Sequence, residues 1–332
     1  MKTSSPKPLH LPDGGLIDLC RADGRWFIHQ DDRPLAVLRD CAGDDMSGPW
    51  DLLQGGGERA LHGLCHYLFC NDATLHCVCV ANLQSTGAGG LPVIEEAGIS
   101  RVERSQFWQQ AWPWLPGGER AVFPQLFVLG EHGRRHPHRP PKPAGELYRR
   151  FGHELGQWFS LRALDIDEDL QRFNRWQNNP RVLHFWQEGG TLEEHRDYLQ
   201  RLAADPHSQA LIGCFNGQPF AYFEVYWAKE DRIAPYYDAG DYDRGMHMLV
   251  GEEAHRGAQR VACWLSSLLH YLFLDDPRTQ RVVSEPRADN ARMIGYMQAA
   301  RLHCEKEFDF PHKRAALMMI SRERFFDRCM LA

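Results

Sequence analysis

The segment spanning residues 210–227 limits the fold of this chain more than any other. Two apolar runs, residues 210–215 and 218–227, flank the pair Asn216-Gly217. Asn and Gly adopt the positive φ angles of a type I′ turn more readily than other residues do. The segment therefore predicts a tight β-hairpin and a fold that contains a sheet.

The residues that follow predict a further strand and a helix packed on the sheet. Residues 246–250 alternate so that His247 lies opposite a face of Met and Val side chains. Apolar residues then recur at helical spacing over residues 259–274, which predicts an amphipathic helix. Residues 278–284 predict the next strand, and Asp289 or Asn290 can cap a helix that runs to about residue 299.

Two further elements complete the second half of the chain. Thr191 and Glu194 form a capping box, in which each side chain satisfies a free amide of the other residue, and it predicts a helix to about residue 204. Residues 302–310 and 315–320 predict a closing hairpin that turns at residues 311–314.

The first half of the chain is less informative. Short apolar runs, a helical stretch near residues 60–69 and glycine-rich breaks predict a smaller α/β domain over residues 1–131. Residues 132–145 are basic and rich in proline, which fixes φ and removes amide donors, so they predict an extended linker. Residues 146–332 then form the second domain.

Composition excludes several classes of function. The 332 residues suit two domains, and 43% hydrophobic with 25% charged residues is ordinary for a globular protein. A formal net charge of −6 does not provide the basic surface that nucleic acids require. The sequence contains no run of 18 apolar residues and no apolar leader, so we expect no membrane partner and a cytoplasmic location. The ten cysteines are interpreted as free thiols.

The order of these elements resembles that of the GNAT acetyltransferases. The resemblance implies an α/β (α+β) fold with a mixed central sheet, and a degenerate copy of that fold is one hypothesis for the first domain. In this family the turn after the fourth strand presents backbone amides to the coenzyme A pyrophosphate. Here that turn is Glu253-Ala254-His255-Arg256-Gly257-Ala258, of which only the Arg-Gly pair fits the usual pattern. Met297 stands where many relatives have a Tyr as general acid.

Longer segments resemble the aerobactin-pathway N6-hydroxylysine acetyltransferases. They include Phe173-Asn174-Arg175-Trp176 and residues 220–228, 243–251, 285–290 and 306–314. The resemblance implies an N-acyltransferase that uses acetyl-CoA or another acyl-CoA. Its acceptor would be a small hydroxylamine, N6-hydroxylysine or a related N-hydroxy diamine, and its product a hydroxamate for a siderophore. Other enzymes of siderophore biosynthesis are then candidate partners.

The same resemblance assigns roles to individual residues. In a relative from mycobactin synthesis the catalytic pair corresponds to His247 and Glu285, which implies that Glu285 is the base and that His247 binds the N-hydroxyl group. Asn290 is equally well explained as a helix cap. The residues expected to bind the acyl-CoA are Leu249, Val250, His255, Arg256, Gly257, Ala258 and Asn290.

Aromatic and charged residues around this pair could line a pocket for the acceptor, although core packing explains about half of them equally well. The residues expected to bind the acceptor are Trp186, Tyr222, Glu224, Tyr226, Trp227, Arg232 and Arg244, with Asp231 beside them. The basic turn at residues 312–314 could contact a carboxylate or phosphate of a substrate or could be a solvent-exposed turn, and the sequence does not favour either interpretation.

A metal site is not expected from the sequence. His62 and His66 have a metal-compatible i, i+4 spacing, but no third ligand is recognisable and a place in the core explains them better. Cys77 and Cys79 are too closely spaced for the usual zinc pair. Two alternative functions stay open: acetylation of an ordinary amine such as an aminoglycoside or polyamine, and acyl-CoA binding without catalysis.

Overall fold

The chain forms two compact units in a computed structural model that describes residues 9–11, 13–40, 49–83, 90–117, 122–130, 133–327, 329 and 331. The first unit comprises Met1–Glu119, Arg150–Glu154 and Phe326–Ala332. The second comprises Arg120–Arg149 and Leu155–Phe325. The boundary after residue 119 lies earlier in the chain than the boundary expected at residue 131. The N-terminal residues 1–6 lie outside the described part.

The first part of the chain is rich in strands. Its strands are β1 (Leu9–His10), β2 (Leu16–Ala22), β3 (Arg25–Gln30), β4 (Arg33–Asp40), β5 (Trp50–Gly55), β6 (Cys77–Ala81), β7 (Ile94–Glu96) and β8 (Ile99–Glu103). Its helices are α1 (Glu58–Asn71) and α2 (Arg104–Phe107). Ten consecutive residues of α1, from Ala60 to Phe69, are buried, so this helix is covered on all sides.

The second part of the chain begins with a two-stranded ribbon and continues into a second sheet with helices. Its strands are β9 (Phe127–Leu129), β10 (Arg135–Pro137), β11 (Glu146–Gly152), β12 (Gln157–Ala163), β13 (Ser208–Phe215), β14 (Gln218–Trp227), β15 (Arg244–Val250), β16 (Arg281–Ser284), β17 (His303–Phe310) and β18 (Lys313–Ser321). Its helices are α3 (Ile166–Gln177), α4 (Pro180–Trp186), α5 (Leu192–Ala204), α6 (Ala258–Asp275), α7 (Ala291–Ala299) and α8 (Arg322–Asp327).

The two large sheets share one topology. The first has the order β1-β2-β3-β4-β5-β6-β8-β7, and the second has the order β11-β12-β13-β14-β15-β16-β18-β17. In each sheet the fifth and sixth strands are parallel and joined through one helix, α1 or α6. The mixed α/β fold expected from the sequence is confirmed, and the repeated order is what a degenerate second copy predicts.

The register of the parallel pairs shows which positions correspond in the two copies. Gly245 pairs with Val283 in the second sheet, and Asp51 pairs with Ala81 in the first. Counting two residues onward on each strand, His247 corresponds to Leu53 and Glu285 to Leu83. The first copy therefore has apolar residues where the second has a histidine and a glutamate.

Most local predictions in the second half are confirmed. The hairpin turns at Asn216 and Gly217, both with positive φ (48° and 75°). The Thr191 capping box begins α5, and Asn290 caps α7. The closing hairpin is tighter than expected, because β18 already begins at Lys313 and only Pro311 and His312 separate the strands.

The proline-rich segment after residue 132 is more structured than an extended linker. Residues 135–137 pair with residues 127–129 in an antiparallel ribbon. Arg139 donates two hydrogen bonds to the carboxylate of Glu230 within the same unit. The segment is thus held by backbone pairing and a buried ion pair, neither of which its composition indicates. None of the described helices has the length and hydropathy needed to cross a membrane.

Candidate active site

Three neighbouring strands bring two carboxylates to one histidine. Glu224 on β14 lies directly opposite His247 on β15 in the antiparallel register. Side chains alternate along a strand, so Tyr222 and Tyr226 share the face of Glu224. Glu285 follows the last residue of β16. The sheet order therefore places both acids beside the same imidazole ring.

His247 uses both ring nitrogens to contact carboxylates. Its Nδ1 lies 3.2 Å from Glu224 Oε2, and its Nε2 lies 2.5 Å from Glu285 Oε1. The side chain of Glu285 is 0% exposed, that of Glu224 9% and that of His247 19%. Of the three groups, the imidazole is thus the most accessible to a small molecule.

Three phenols complete the shell around the carboxylates. The hydroxyl groups of Tyr198 and Tyr222 both donate to Glu224 Oε1, the latter at 2.7 Å. Tyr226 donates to Glu285 Oε2 at 2.6 Å. Since buried charges are costly unless they are paired and hydrogen-bonded, these donors stabilise two ionised carboxylates below the surface.

The electrostatics favour an imidazolium between two carboxylates. Burial alone would lower the pKa of His247, but the charge of Glu285 and the hydrogen bonds to both acids raise it to about 10. Burial likewise opposes ionisation of Glu285, and the positive charge of His247 outweighs it and lowers the pKa of that carboxyl. At neutral pH the trio has one positive and two negative charges.

Two further cations lie near Glu285. Lys313 Nζ donates to the backbone carbonyl of Glu285 at 2.7 Å, and burial lowers the pKa of this lysine. Arg232 Nη2 lies 3.8 Å from Glu285 Oε1, and its side chain is 51% exposed. Arg232 can therefore reach a solvent-borne ligand while it remains close to the buried acid.

The structure brings most of the expected acceptor residues together. Tyr222, Glu224 and Tyr226 contact the acid and histidine trio as described, and the Trp186 ring centroid lies 6.2 Å from that of His247. Asp231 is half-buried and adjacent in sequence to Arg232.

Trp227 and Arg244 are placed elsewhere, which corrects the expected pocket. They face each other at 4.2 Å in a cation–π contact, and Arg244 Nη1 donates to Asp275 at the end of α6. Trp227 follows Tyr226 on β14, so alternation turns it to the opposite face of the sheet. These two side chains support the packing of α6 and do not adjoin His247.

Two residues of this site were not assigned by sequence reasoning. Tyr198 lies on α5, 26 residues before its partner Glu224, and no local pattern connects them. Lys313 was noted only as part of a basic turn. Its role depends on the tight closing hairpin, which brings Lys313 Nζ to the carbonyl of Glu285.

The start of α6 has the features of an anion site. Gly257, with φ of 122°, precedes this 18-residue helix, and no side chain of the described residues caps its first amides. Free amides at a helix N-terminus attract phosphate groups. Arg256 lies in this turn. Burial lowers the pKa of Arg181, and the nearby positive charge of Arg256 lowers it further. The uncapped amides and the two neighbouring arginines together provide the positive charge that would bind the pyrophosphate of an acyl-CoA.

Strand β15 also provides a place for the acyl end of such a ligand. It pairs with β16 only through Arg244 and Gly245. Ser284 Oγ donates to the Met246 carbonyl at 2.8 Å, and the strands then separate. The backbone near Leu249 and Val250 therefore runs along the opening. Arg181 Nη2 donates to the carbonyl of Val250 at 2.7 Å.

The other three residues expected to bind the acyl-CoA differ in their exposure and contacts. Ala258 is the first residue of α6 and is exposed. The His255 ring stacks with Phe215 and Phe220, at centroid distances of 5.8 and 5.4 Å. Asn290 accepts a hydrogen bond from the Met293 amide at 3.3 Å, as a helix cap does.

Comparison with known proteins agrees with this geometry. The acetyltransferase (GNAT) domain family matches residues 165–310. The N(6)-hydroxylysine O-acetyltransferase of Escherichia coli is 44% identical over 225 residues, which are 68% of this chain and 71% of that protein. A hydroxyornithine transacylase of Ajellomyces capsulatus is 42% identical over 253 residues, 68% of this chain and 58% of that protein. An uncharacterised protein of Bacillus halodurans superposes with a TM-score of 0.54 at 28% identity, over 56% of this chain and 95% of that one.

The fold, the uncapped helix behind the splayed strands and the matched domain together define an acyltransferase of the GNAT class. Within that class, this chain belongs to the family that includes the N(6)-hydroxylysine O-acetyltransferase of Escherichia coli.

Proposed function

We propose that this enzyme transfers an acetyl or related acyl group from acyl-CoA to the hydroxylamine nitrogen of N6-hydroxylysine or a related N-hydroxy diamine. The product is a hydroxamate for a siderophore. The observation that carries the proposal is the hydrogen-bonded Glu224, His247 and Glu285 trio at the opening between β15 and β16. The names of the two relatives, which act on hydroxylysine and hydroxyornithine, support this class of acceptor.

The donor binds along the opening and the start of α6. Backbone amides of α6 and Arg256 hold the pyrophosphate, because both present positive charge at Gly257. Amides near Leu249 and Val250 polarise the thioester carbonyl and stabilise the oxyanion that develops on it. Use of an acyl-CoA donor is consistent with a cytoplasmic location, which is part of the proposal.

Glu285 and His247 take part in proton transfer from the attacking nitrogen to the sulfur of CoA. A hydroxylamine is largely neutral near physiological pH, so its nitrogen needs only a modest base. As the new C–N bond forms, Glu285 accepts the proton that the nitrogen releases, with His247 linking this acid to the open side of the site. The C–S bond then breaks, and the same proton returns to the sulfur of CoA. No covalent enzyme intermediate is needed.

The surroundings of the trio favour an acceptor with both a hydroxylamine and a carboxylate. The net charge of the trio attracts N–H and O–H donors, and Trp186 offers an apolar surface beside it. Arg232 is exposed and near Glu285, where it can pair with the carboxylate of an amino acid. An N-hydroxylating enzyme must supply this acceptor.

Acceptor selectivity tests the proposal directly. We expect release of CoA thiol from acetyl-CoA with N6-hydroxylysine and with N-hydroxycadaverine, and at least about 100-fold less with lysine, because the lysine amine is almost fully protonated near neutral pH and a hydroxylamine is not. Equal rates with lysine would support an ordinary amine acetyltransferase. CoA binding without turnover of any acceptor would support a binding module.

Substitution of Arg232→Ala is expected to separate the two good acceptors. The variant should raise the KM for N6-hydroxylysine about tenfold, because a charge-assisted hydrogen bond is lost, and leave the KM for N-hydroxycadaverine unchanged. Arg201→Ala, an exposed arginine on α5, is the matched control. An equal change for both acceptors would show that Arg232 does not bind the carboxylate.

A further inference from the structure

A second cluster of reactive side chains lies in the first unit. His66 and Cys70 are four residues apart on α1 and so share one face of the helix. His153 comes from the segment Arg150–Glu154, which belongs to the same unit. One ligand atom from each residue lies within 4.8 Å of the others. The sequence concealed this third ligand because His153 is 87 residues away from His66.

Two of these groups lack the partners that buried polar atoms normally have. His66 is 2% exposed, and its Nδ1 has no hydrogen-bond partner among the described residues. The Nε2 of His153 is likewise buried without a partner in the described part of the chain. Nearly all buried polar groups are satisfied in folded proteins, so two such nitrogens beside one thiol indicate a missing ligand.

The local electrostatics keep both rings in the form that binds metals. Burial first, and then the neighbouring rings and Arg150, lower the pKa of His66 well below its usual value. Burial, then Arg150 and the ring of His10, lower the pKa of His153 to about 4. Burial of the two rings favours the neutral imidazole, which is the form that offers a lone pair for coordination.

We infer that His66, Cys70 and His153 form a binding site for a soft, filled-shell metal ion, and that Cu⁺ fits it better than Zn²⁺. Imidazole and thiolate are ligands that both ions accept. The described residues offer three ligands, which suffices for Cu⁺, whereas structural zinc sites almost always have four.

Charge balance also favours the monovalent ion. Binding breaks the S–H bond of Cys70 and releases one proton to solvent, with no change of oxidation state. Cu⁺ with one thiolate and two neutral rings has no net charge, whereas Zn²⁺ would add one positive charge. Burial raises the pKa of the Cys70 thiol, and the positive charges of Arg150 and Arg104 lie close enough to oppose that rise, so an additional positive charge here would be repelled.

The site needs only a small contraction to close on an ion. Metal–ligand bonds of about 2.0–2.3 Å put trigonal ligand atoms about 3.5–4 Å apart. The present spread of up to 4.8 Å can close by about 1 Å through side-chain rotation. The metal site lies in the first unit. The sheet of that unit has leucines at the positions that correspond to His247 and Glu285, so the metal site is distinct from the acyl-transfer site.

The test is an anaerobic competition experiment with the reduced full chain. Cu⁺ is supplied as its bicinchoninate complex, and the protein is expected to withdraw one equivalent that Cys70→Ser and His153→Ala fail to withdraw. Cys79→Ser is the matched control, since this cysteine is also half-buried in the same unit. X-ray absorption of the copper-loaded protein should report one sulfur and two nitrogen ligands.

Thermal unfolding distinguishes loss of the site from loss of the fold. Cu⁺ should raise the Tm of the wild type and of Cys79→Ser by several degrees, and leave the Tm of Cys70→Ser and His153→Ala unchanged. Equal copper uptake by all four proteins would overturn the site. Tighter retention of Zn²⁺ than of Cu⁺ in parallel competitions would overturn the charge argument.

Discussion

Replacing Glu285 with Gln is expected to lower kcat for acetyl transfer to N6-hydroxylysine by about 10²–10⁴-fold, the usual contribution of a positioned base. Gln keeps the size of the side chain and can still accept the hydrogen bond from Tyr226, but it cannot take a proton from the attacking nitrogen. It also removes the charge that raises the pKa of His247 most strongly. The measurement is CoA thiol release under saturating acetyl-CoA.

The matched control is Glu230→Gln. Glu230 is also a largely buried carboxylate of the second unit, where it binds Arg139 and His136. This control should lose stability and retain kcat within a few fold. Acetyl-CoA affinity should be unchanged in Glu285→Gln, because the expected donor contacts lie on β15 and α6. A variant with near wild-type kcat would show that Glu285 only supports His247 structurally.

The elements around this site could be predicted from the sequence because their signals are local. A capping box, an Asn-Gly turn and a helical apolar stripe are each encoded within a few residues. The Asn-Gly turn set the register that pairs β13 with β14, and the strand pattern that follows placed His247 opposite the Met and Val face. The catalytic pair itself came from resemblance, since spacing alone does not connect residues 247 and 285.

What the sequence did not provide depends on tertiary contacts. Tyr198 reaches Glu224 only because α5 packs beside β13, and His153 meets His66 only after the chain has folded. Trp227 is different, because strand alternation already turns it away from Tyr226. Its position on the face opposite Tyr226 therefore follows from the strand pattern alone.

The role assigned to His247 from resemblance also needs revision in light of its contacts. Both ring nitrogens are occupied by carboxylates, so the ring cannot bind an N-hydroxyl group without giving up one of them. The arrangement fits a charged link between the two acids better than a free hydrogen-bond donor. Loss of His247 should then lower the free energy of unfolding as well as the rate of acyl transfer.

Replacing His247 with Ala is expected to destabilise the protein by about 3–5 kcal/mol at pH 7, because removing one partner leaves buried charges without compensation. Two buried carboxylates would remain, with hydrogen bonds from tyrosines and with the half-buried Lys313 and the exposed Arg232 as cations near Glu285. Denaturant unfolding followed by circular dichroism measures this loss. His184→Ala, an exposed histidine on α4, should change it by less than about 0.5 kcal/mol.

The dependence of this loss on pH identifies its cause. In the wild type the pKa of His247 is raised to about 10, so its stabilisation is complete below about pH 6.5 and is lost as pH rises through 10. The wild type should therefore gain little from this histidine when pH falls from 7 to 5, at most about 1 kcal/mol. In His247→Ala, burial and mutual repulsion raise the pKa values of both carboxyls above those of the unfolded chain.

Protonation of these carboxyls should then stabilise the folded variant as pH falls, and the gap between variant and wild type should narrow toward pH 5. A lost packing contact would cost the same free energy at both pH values, so a gap that does not change with pH would contradict the charged trio. A narrowing gap in His247→Ala, together with its absence in His184→Ala, would show that the imidazolium holds two ionised acids in place. Glu285, one of these two ionised acids, could then accept the proton that the hydroxylamine nitrogen releases.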